Sequence, residues 1–269
     1  MTAIAQTPAA AAPLLARIGF TTRGIVYLLI GGFTVAAALR SGEHAHGLTD
    51  AMQAVSHWPF GGVLVMAISL GLLCFAGWLA IEGARRCLAA HNFRTGMMAV
   101  GMLGDAALYL GLVVILLGVA IGWHKGGEHE LHLWVAWLFG HPFGRWAVGV
   151  TGAALIVGGG GLLIWAWTRD VEQKLDMPAD DKKATRPISR YGVSGRGVTL
   201  ALIGFYLIAA AWHARPDEAH DVGAALQNLR HTAYGWVLML LFALSFGASA
   251  FFDFLAALYR RVEVPARFS

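Results

Sequence analysis

The chain has 269 residues, of which 57% are hydrophobic and only 13% are charged. So few charged side chains cannot cover a water-facing surface, and the composition therefore excludes an ordinary soluble domain. The formal net charge of +4 comes from basic residues placed between apolar segments, a distribution that indicates membrane orientation rather than nucleic-acid binding.

Six apolar segments follow one another along the chain. Most reach the ~20 residues that an α-helix needs to cross a hydrocarbon core, so the lipid bilayer is the expected partner. We predict transmembrane helices at about 20–39, 61–82, 98–122, 146–167, 191–212 and 236–258. If the N-terminus is inside, the inner segments hold fifteen of the 20 Lys and Arg residues. This positive-inside bias predicts that both termini are cytoplasmic.

The chain repeats one helical hairpin three times. Gly19, Gly101 and Gly192 start equivalent segments, and about 42 residues after each a turn sequence, "HWPFG", "HPFG" or "HTAYG", begins the next apolar run. We place the repeats at 17–96, 97–168 and 190–261. Because every copy starts and ends on the inner side, the copies are parallel. The expected fold is an all-α membrane bundle of three two-helix repeats around a pseudo-threefold axis.

The segments outside these hairpins are more polar. We expect a disordered cytoplasmic tail at 1–16, a charged cytoplasmic linker at 169–189 and a second cytoplasmic tail at 262–269. In each outer loop, apolar residues recur at i, i+3, i+4 and i+7, starting at Leu48, Leu131 and Val222. This spacing predicts one short amphipathic helix per loop, lying at the outer interface or capping the bundle.

Five ionisable residues fall in the cytoplasmic third of the predicted bundle. They are Arg23, Glu82, Asp105, Arg196 and Asp253. An arginine at a helix centre costs at least ~2.5 kcal/mol on insertion scales, so each charge needs a partner or a function. One interpretation is structural: ion pairs lock the helices together, or the arginines extend to the inner headgroups. The other is a charged gate or proton relay on a substrate path.

The outer loops are rich in histidine, with ten of the eleven histidines on the outer side. The candidate metal ligands are His44, His46, His129, His132 and His220. With neighbouring carboxylates, these side chains can bind a divalent transition metal such as zinc, copper or nickel. Two other interpretations stay open: a pH switch near about pH 6, or interfacial polar groups without a fixed positive charge. No other cofactor is predicted.

Short motifs connect the chain to a known family. Arg23, Gly24 and Tyr27 form Arg-Gly-x-x-Tyr in the first repeat, Pro-Phe-Gly follows at 59–61, and the third repeat contains "AAAW…ALQNL…YGW". In these motifs the chain resembles the bacterial membrane family numbered 1206 among the domains of unknown function. The resemblance covers about 17–86, 97–169 and 190–261. It implies three two-helix repeats in a bacterial inner membrane and no activity, and Asp105 departs from the repeated arginine of the family.

The sequence contains no catalytic signature that would predict an enzyme. Walker, G-x-G-x-x-G, H-E-x-x-H and G-x-S-x-G motifs are all absent. Two functional hypotheses follow. The first is a small pore or transporter with a charged cytoplasmic-side gate. The second is a non-transporting accessory or envelope-stress protein whose His-rich outer face binds a metal, or a membrane or periplasmic protein. A polar stripe along the repeat axis would favour the first, and a solid axis packed by glycine would favour the second.

Overall fold

The computed structural model describes residues 7–39, 48–89, 92–121, 135–168, 175–214 and 235–260. Its helices are α1 (Thr7–Leu39), α2 (Leu48–Ser56), α3 (Gly61–Leu88), α4 (Phe93–Ala120), α5 (Gly144–Thr168), α6 (Ala179–His213) and α7 (Gly235–Tyr259). Every helix except α2 contains a segment that is long and apolar enough to cross a membrane. These six helices overlap the six predicted segments and confirm the all-α membrane class.

Two of the long helices begin earlier than predicted. α1 begins at Thr7, inside the segment expected to be a disordered tail, and α6 begins at Ala179, inside the segment expected to be a linker. Both early turns are rich in strong helix formers, with alanines at 9–12 and Ala, Lys and Arg at 182–186. Hydropathy does not detect such turns, because helix propensity rather than apolar burial favours them. The two helices therefore extend into both of these segments.

The short helices of the outer loops are described in part. α2 lies in the first outer loop, as the apolar spacing predicted, and buries Met52 and Val55 against the long helices. The described part of the second loop is helical over 135–139. The amphipathic helix predicted for the third loop, at 222–229, lies outside the described residues.

The same turn starts the second helix of the first and second repeats. Phe60 and Phe143 have positive φ angles of 64° and 71°, a left-handed conformation that is uncommon for a bulky residue. Each is followed by a glycine, Gly61 or Gly144, whose position leaves no room for a side chain. A Cβ atom at either glycine would collide with a backbone carbonyl near the end of the preceding loop helix. The repeated Pro-Phe-Gly sequence therefore encodes a repeated backbone turn.

The second helix of each repeat packs against the first helix of the next: α3 on α4, α5 on α6, and α7 on α1. In the α5–α6 pair, Gly152 faces Gly204 and Gly159 faces Gly197, so that each glycine touches the backbone of its partner. Gly31 of α1 is the repeat equivalent of Gly204 and also faces a backbone carbonyl, on α7. Such close approach favours helix association in a bilayer, where no hydrophobic effect drives it.

Helix pairing inside the repeats is alike in the first and third copies. Gly71 of α3 lies against Thr22 of α1, and at the equivalent level Gly195 of α6 lies against Ser245 of α7. The glycine is on the second helix in the first repeat and on the first helix in the third repeat. The second repeat differs, because α4 and α5 are not closely packed against each other over their described lengths. The ring of helices is thus open at this point, and the pseudo-threefold axis stays a prediction.

Two apolar cores join the first and third repeats and also include side chains of the second. The end of the bundle where α7 finishes and α1 begins is called the inner end below. The outer core includes Val26, Ile30, Leu72, Leu116 and Met239. The inner core includes Phe20, Phe75, Trp78, Val193 and Phe252. Because both cores combine α1, α3 and α7 side chains, the bundle interior in this region is filled by apolar groups.

Candidate functional site

Three of the predicted ionisable residues meet inside the bundle, and they are called the charged triad below. Arg23 comes from α1, Arg196 from α6 and Asp253 from α7. Gly24 and Gly197 face the neighbouring helix at the repeat contacts. The residue before each glycine is rotated by about 100° around its helix axis. That rotation turns both arginines from the helix contact toward the bundle interior.

One carboxylate ties the three helices together. The Arg23 Nε and Nη2 groups donate to Asp253 Oδ2 and Oδ1 at 2.8 and 2.6 Å, a bidentate ion pair. Arg196 Nη2 donates to Asp253 Oδ2 at 2.6 Å and to the carbonyl oxygen of Ser249 at 2.8 Å. The Asp253 side chain is 0% exposed. Bidentate, charge-assisted hydrogen bonds of this kind are among the strongest in proteins.

Aromatic rings cover both guanidinium groups of the triad. The Cζ atom of Arg23 lies 4.4 Å from the centre of the Phe75 ring and 5.1 Å from that of Phe20. The Cζ atom of Arg196 lies 4.4 Å from the centre of the Tyr27 ring. Rings at these distances attract the cations and exclude water from the ion pairs. Sequence reasoning missed these aromatics, although Phe20 stands one helical turn before Arg23.

A third arginine lies at the inner end of this aromatic cluster. The Cζ atom of Arg260 is 4.8 Å from the Phe20 ring centre and 4.6 Å from that of Trp78. Burial lowers the pKa of Arg260 to about 10, and the positive charge of Arg23 contributes in the same direction. Since that pKa is still well above neutrality, Arg260 keeps its charge. The triad region therefore carries an excess of positive charge.

The other two predicted residues do not join the triad. Glu82 pairs within α3, accepting a hydrogen bond from Arg86 Nε at 2.7 Å and lying 4.0 Å from Arg85. The i, i+4 spacing of Glu82 and Arg86 was the sequence signal for this local pair. Asp105 is exposed on α4 and makes no ion pair with another described residue. The gate or relay role suggested for all five residues stays a prediction.

The candidate metal ligands, His44, His46, His129, His132 and His220, lie outside the described residues. Within the described ranges, no three His, Cys, Asp or Glu residues form a group that could hold a metal ion. His57 and His141 occupy equivalent positions at the outer turns. Each ring Nδ1 lies within 2.8–2.9 Å of the backbone carbonyl four residues earlier. These two histidines therefore contribute to local turn structure.

Six helices long and apolar enough to cross a membrane, a repeated turn and equivalent contacts between repeats are the features of a multi-pass membrane protein built from internal repeats. The chain belongs to the family described as Domain of Unknown Function (DUF1206), which matches it at residues 18–86, 100–169 and 191–260. It is also similar to "Uncharacterized protein YxxB" of Bacillus subtilis (strain 168), with 26% identity over 254 residues that cover 91% of this chain and 90% of the relative. No solved structure matches it. The three family matches confirm the predicted repeats.

Proposed function

We propose that this protein is a non-transporting accessory protein of the bacterial inner membrane, and that the charged triad locks its first and third repeats together. The observation that carries the proposal is the enclosure of Asp253, whose side chain is 0% exposed. Both carboxylate oxygens accept hydrogen bonds from arginine. A proton relay needs an oxygen within reach of a proton donor or of water. Here guanidinium groups occupy the oxygens, which supports a lock.

Three of the buried hydroxyl groups support the same proposal, whereas the Ser249 hydroxyl donates across the helices to the carbonyl oxygen of Gly192. Thr34, Ser69 and Ser245 lie inside the bundle, and each donates a hydrogen bond to a carbonyl three or four residues earlier in its own helix. A conducting path needs polar groups that face one another across the helices. These three hydroxyls are satisfied locally, and they lie at the level of the outer core of apolar side chains. A filled interior is the arrangement expected of a scaffold.

A second candidate function is a small pore or transporter in which the triad is a closed gate. The observation that favours it is the charge balance, because the triad sets two arginines against one carboxylate. Asp105 offers a further carboxylate, since it occupies the same column of the repeat as Arg23 and Arg196 and is exposed on α4. A gate of this kind would open when an arginine exchanges Asp253 for Asp105.

The surface that would bind a metal or a protein partner is assigned from the sequence of the outer loops. The five candidate metal ligands stand beside acidic residues on the side opposite the basic termini, where a periplasmic or membrane protein, or a divalent metal, can reach them. We expect no catalytic activity. Titration of Zn²⁺ into the purified protein, with and without the paired change of His44 and His46 to alanine, tests the metal. Identical binding curves would remove these two residues from the proposal.

Ion flux in proteoliposomes separates the two candidates. Wild-type protein and the Asp253→Asn variant are reconstituted with a trapped pH dye, and a proton gradient is imposed with a potassium–valinomycin potential. A lock predicts proton leak equal to that of protein-free liposomes for the wild type. A closed gate predicts a leak that rises above that level in Asp253→Asn, because this variant releases both arginines, and that changes again when Asp105→Asn is added. Leak above that of protein-free liposomes, in the wild type or in folded Asp253→Asn protein, would overturn the accessory proposal.

A further inference from the structure

An apolar groove runs along the surface of α7 that faces away from the bundle interior, between α1 and α6. It encloses about 820 Å³ and is lined mainly by Leu28, Gly32, Val35, Tyr191, Gly247 and Phe251. This volume is in the range of small-molecule sites. The Tyr191 hydroxyl donates to the carbonyl oxygen of Leu241 at 2.5 Å, so it leaves no free donor in the groove. The wall is therefore suited to a hydrocarbon chain.

Two glycines create the groove, and the repeats show what they replace. Gly32 and Gly247 have no atom within 4 Å of the position where a Cβ would stand. In the equivalent α3–α4 pair, the same two positions hold Val114 and Leu73. The α5–α6 pair has bulky side chains at these positions as well, phenylalanine and isoleucine. Of the three pairs, only α7–α1 has glycine at both positions, so the groove is a property of this one repeat contact.

Exposed basic residues on α1 and α6 precede the lining residues of this groove, toward its inner end. Arg17 precedes Leu28 and Val35 by 11 and 18 residues, which are three and five helical turns, so the three share one face of α1. Lys183 precedes Tyr191 by eight residues on α6, and both cations are exposed. The rise from Leu28 to Arg17 is about 16 Å. With Leu28 taken as the middle of the span, that length is half of the ~30 Å hydrocarbon core and puts Arg17 at headgroup depth.

We propose that this groove binds one anionic phospholipid of the inner leaflet, with an acyl chain against Gly32 and Gly247 and the phosphate between Arg17 and Lys183. The apolar wall and the two cations at its inner end fit the two parts of such a lipid. A zwitterionic lipid lacks the net charge that this pair of cations attracts. A second copy of the chain is a poorer occupant of the groove, because it would have to place acidic side chains next to Arg17 and Lys183.

Retained lipid is counted by native mass spectrometry after the full chain is purified and mixed with phosphatidylglycerol or phosphatidylcholine of identical acyl chains. The wild type is expected to retain one phosphatidylglycerol. Gly247→Leu, which installs the side chain of the α3–α4 pair, is expected to weaken retention about tenfold or more, because leucine displaces at least two methylene groups of the lipid chain. The matched control is Gly77→Leu, where a Cβ also meets open space but outside the groove.

The charged rim is tested with Arg17→Gln and Lys183→Gln, against Lys182→Gln on another face of α6. Each rim change is expected to weaken phosphatidylglycerol retention about fivefold and to leave phosphatidylcholine unaffected. These exposed residues make no ion pair with another described residue, so the variants are expected to fold. Equal loss of lipid in Gly247→Leu and Gly77→Leu, or equal retention of the two lipids by the wild type, overturns the proposal. A wild-type dimer that Gly247→Leu dissociates also overturns it and assigns the groove to a second copy.

Discussion

Replacing Asp253 with asparagine removes the carboxylate of the charged triad and keeps the side chain nearly the same size. Three hydrogen bonds from two arginines converge on this group, and its side chain is fully buried. Removing one member of a buried ion pair typically costs about 3–5 kcal/mol, because the remaining charge stays desolvated without compensation. The introduced asparagine does not restore these interactions, since its amide carries no charge and its NH₂ group cannot accept a hydrogen bond from arginine.

The expected loss can be read as a shift in melting temperature. For a chain of this size, 1 kcal/mol corresponds to about 2–4 °C, so Asp253→Asn is expected to lower Tm by roughly 6–20 °C. Thermal unfolding in detergent, followed by tryptophan fluorescence, provides the measurement. Glu82→Gln is the matched control, because it breaks the partly exposed pair with Arg86 and should cost no more than about 1 kcal/mol. A Tm for Asp253→Asn within the range of this control would refute the reasoning.

Three further predictions concern the helix contacts and the repeated turn. Gly159→Leu is expected to destabilise the protein by several kcal/mol, because a Cβ there meets the backbone of α6. At Gly158 a Cβ meets open space, so Gly158→Leu should be near neutral. Thermal melts of the two variants are compared. Phe60→Gly is expected to raise Tm slightly, by relieving about 1 kcal/mol of left-handed strain at an exposed side chain; an unchanged or lower Tm would contradict this. Gly71→Ser should destabilise through collision with Thr22, and Thr22→Gly should rescue it by reproducing the arrangement of the third repeat; a double variant no better than Gly71→Ser alone would count against equivalent repeats.

Hydropathy and repetition were enough to predict the fold class. The six apolar segments each became a long helix, because a run of about 20 apolar residues has few alternatives in a bilayer. The Pro-Phe-Gly repeat became a repeated turn, since Gly61 and Gly144 cannot carry a side chain there. The early starts of α1 and α6 were missed, because helix propensity outside the bilayer leaves no hydropathy signal. The opening between α4 and α5 has no signal in sequence periodicity either.

The residues of the charged triad could be predicted from the sequence, but the ion pairs between them could not. Arg23, Arg196 and Asp253 stood out as charges inside apolar segments, and the repeat alignment placed the arginines at equal depth. Which carboxylate they share depends on the rotation of each helix about its axis, and that rotation follows from glycine contacts that only the folded bundle shows. Depth along the helices groups Glu82 with this cluster, although it pairs within its own helix. Its partner at i+4, Arg86, was the better guide.

The coupling energy between Arg23 and Asp253 tests the central claim most directly. Unfolding free energies are measured for the wild type, Arg23→Gln, Asp253→Asn and the double variant, which together form a double-mutant cycle. A structural lock predicts that the double variant is little worse than either single variant, with a coupling energy of at least about 2 kcal/mol. Strictly additive losses, with a coupling energy near zero, would contradict the account, because the two side chains would then not stabilise the bundle as a pair.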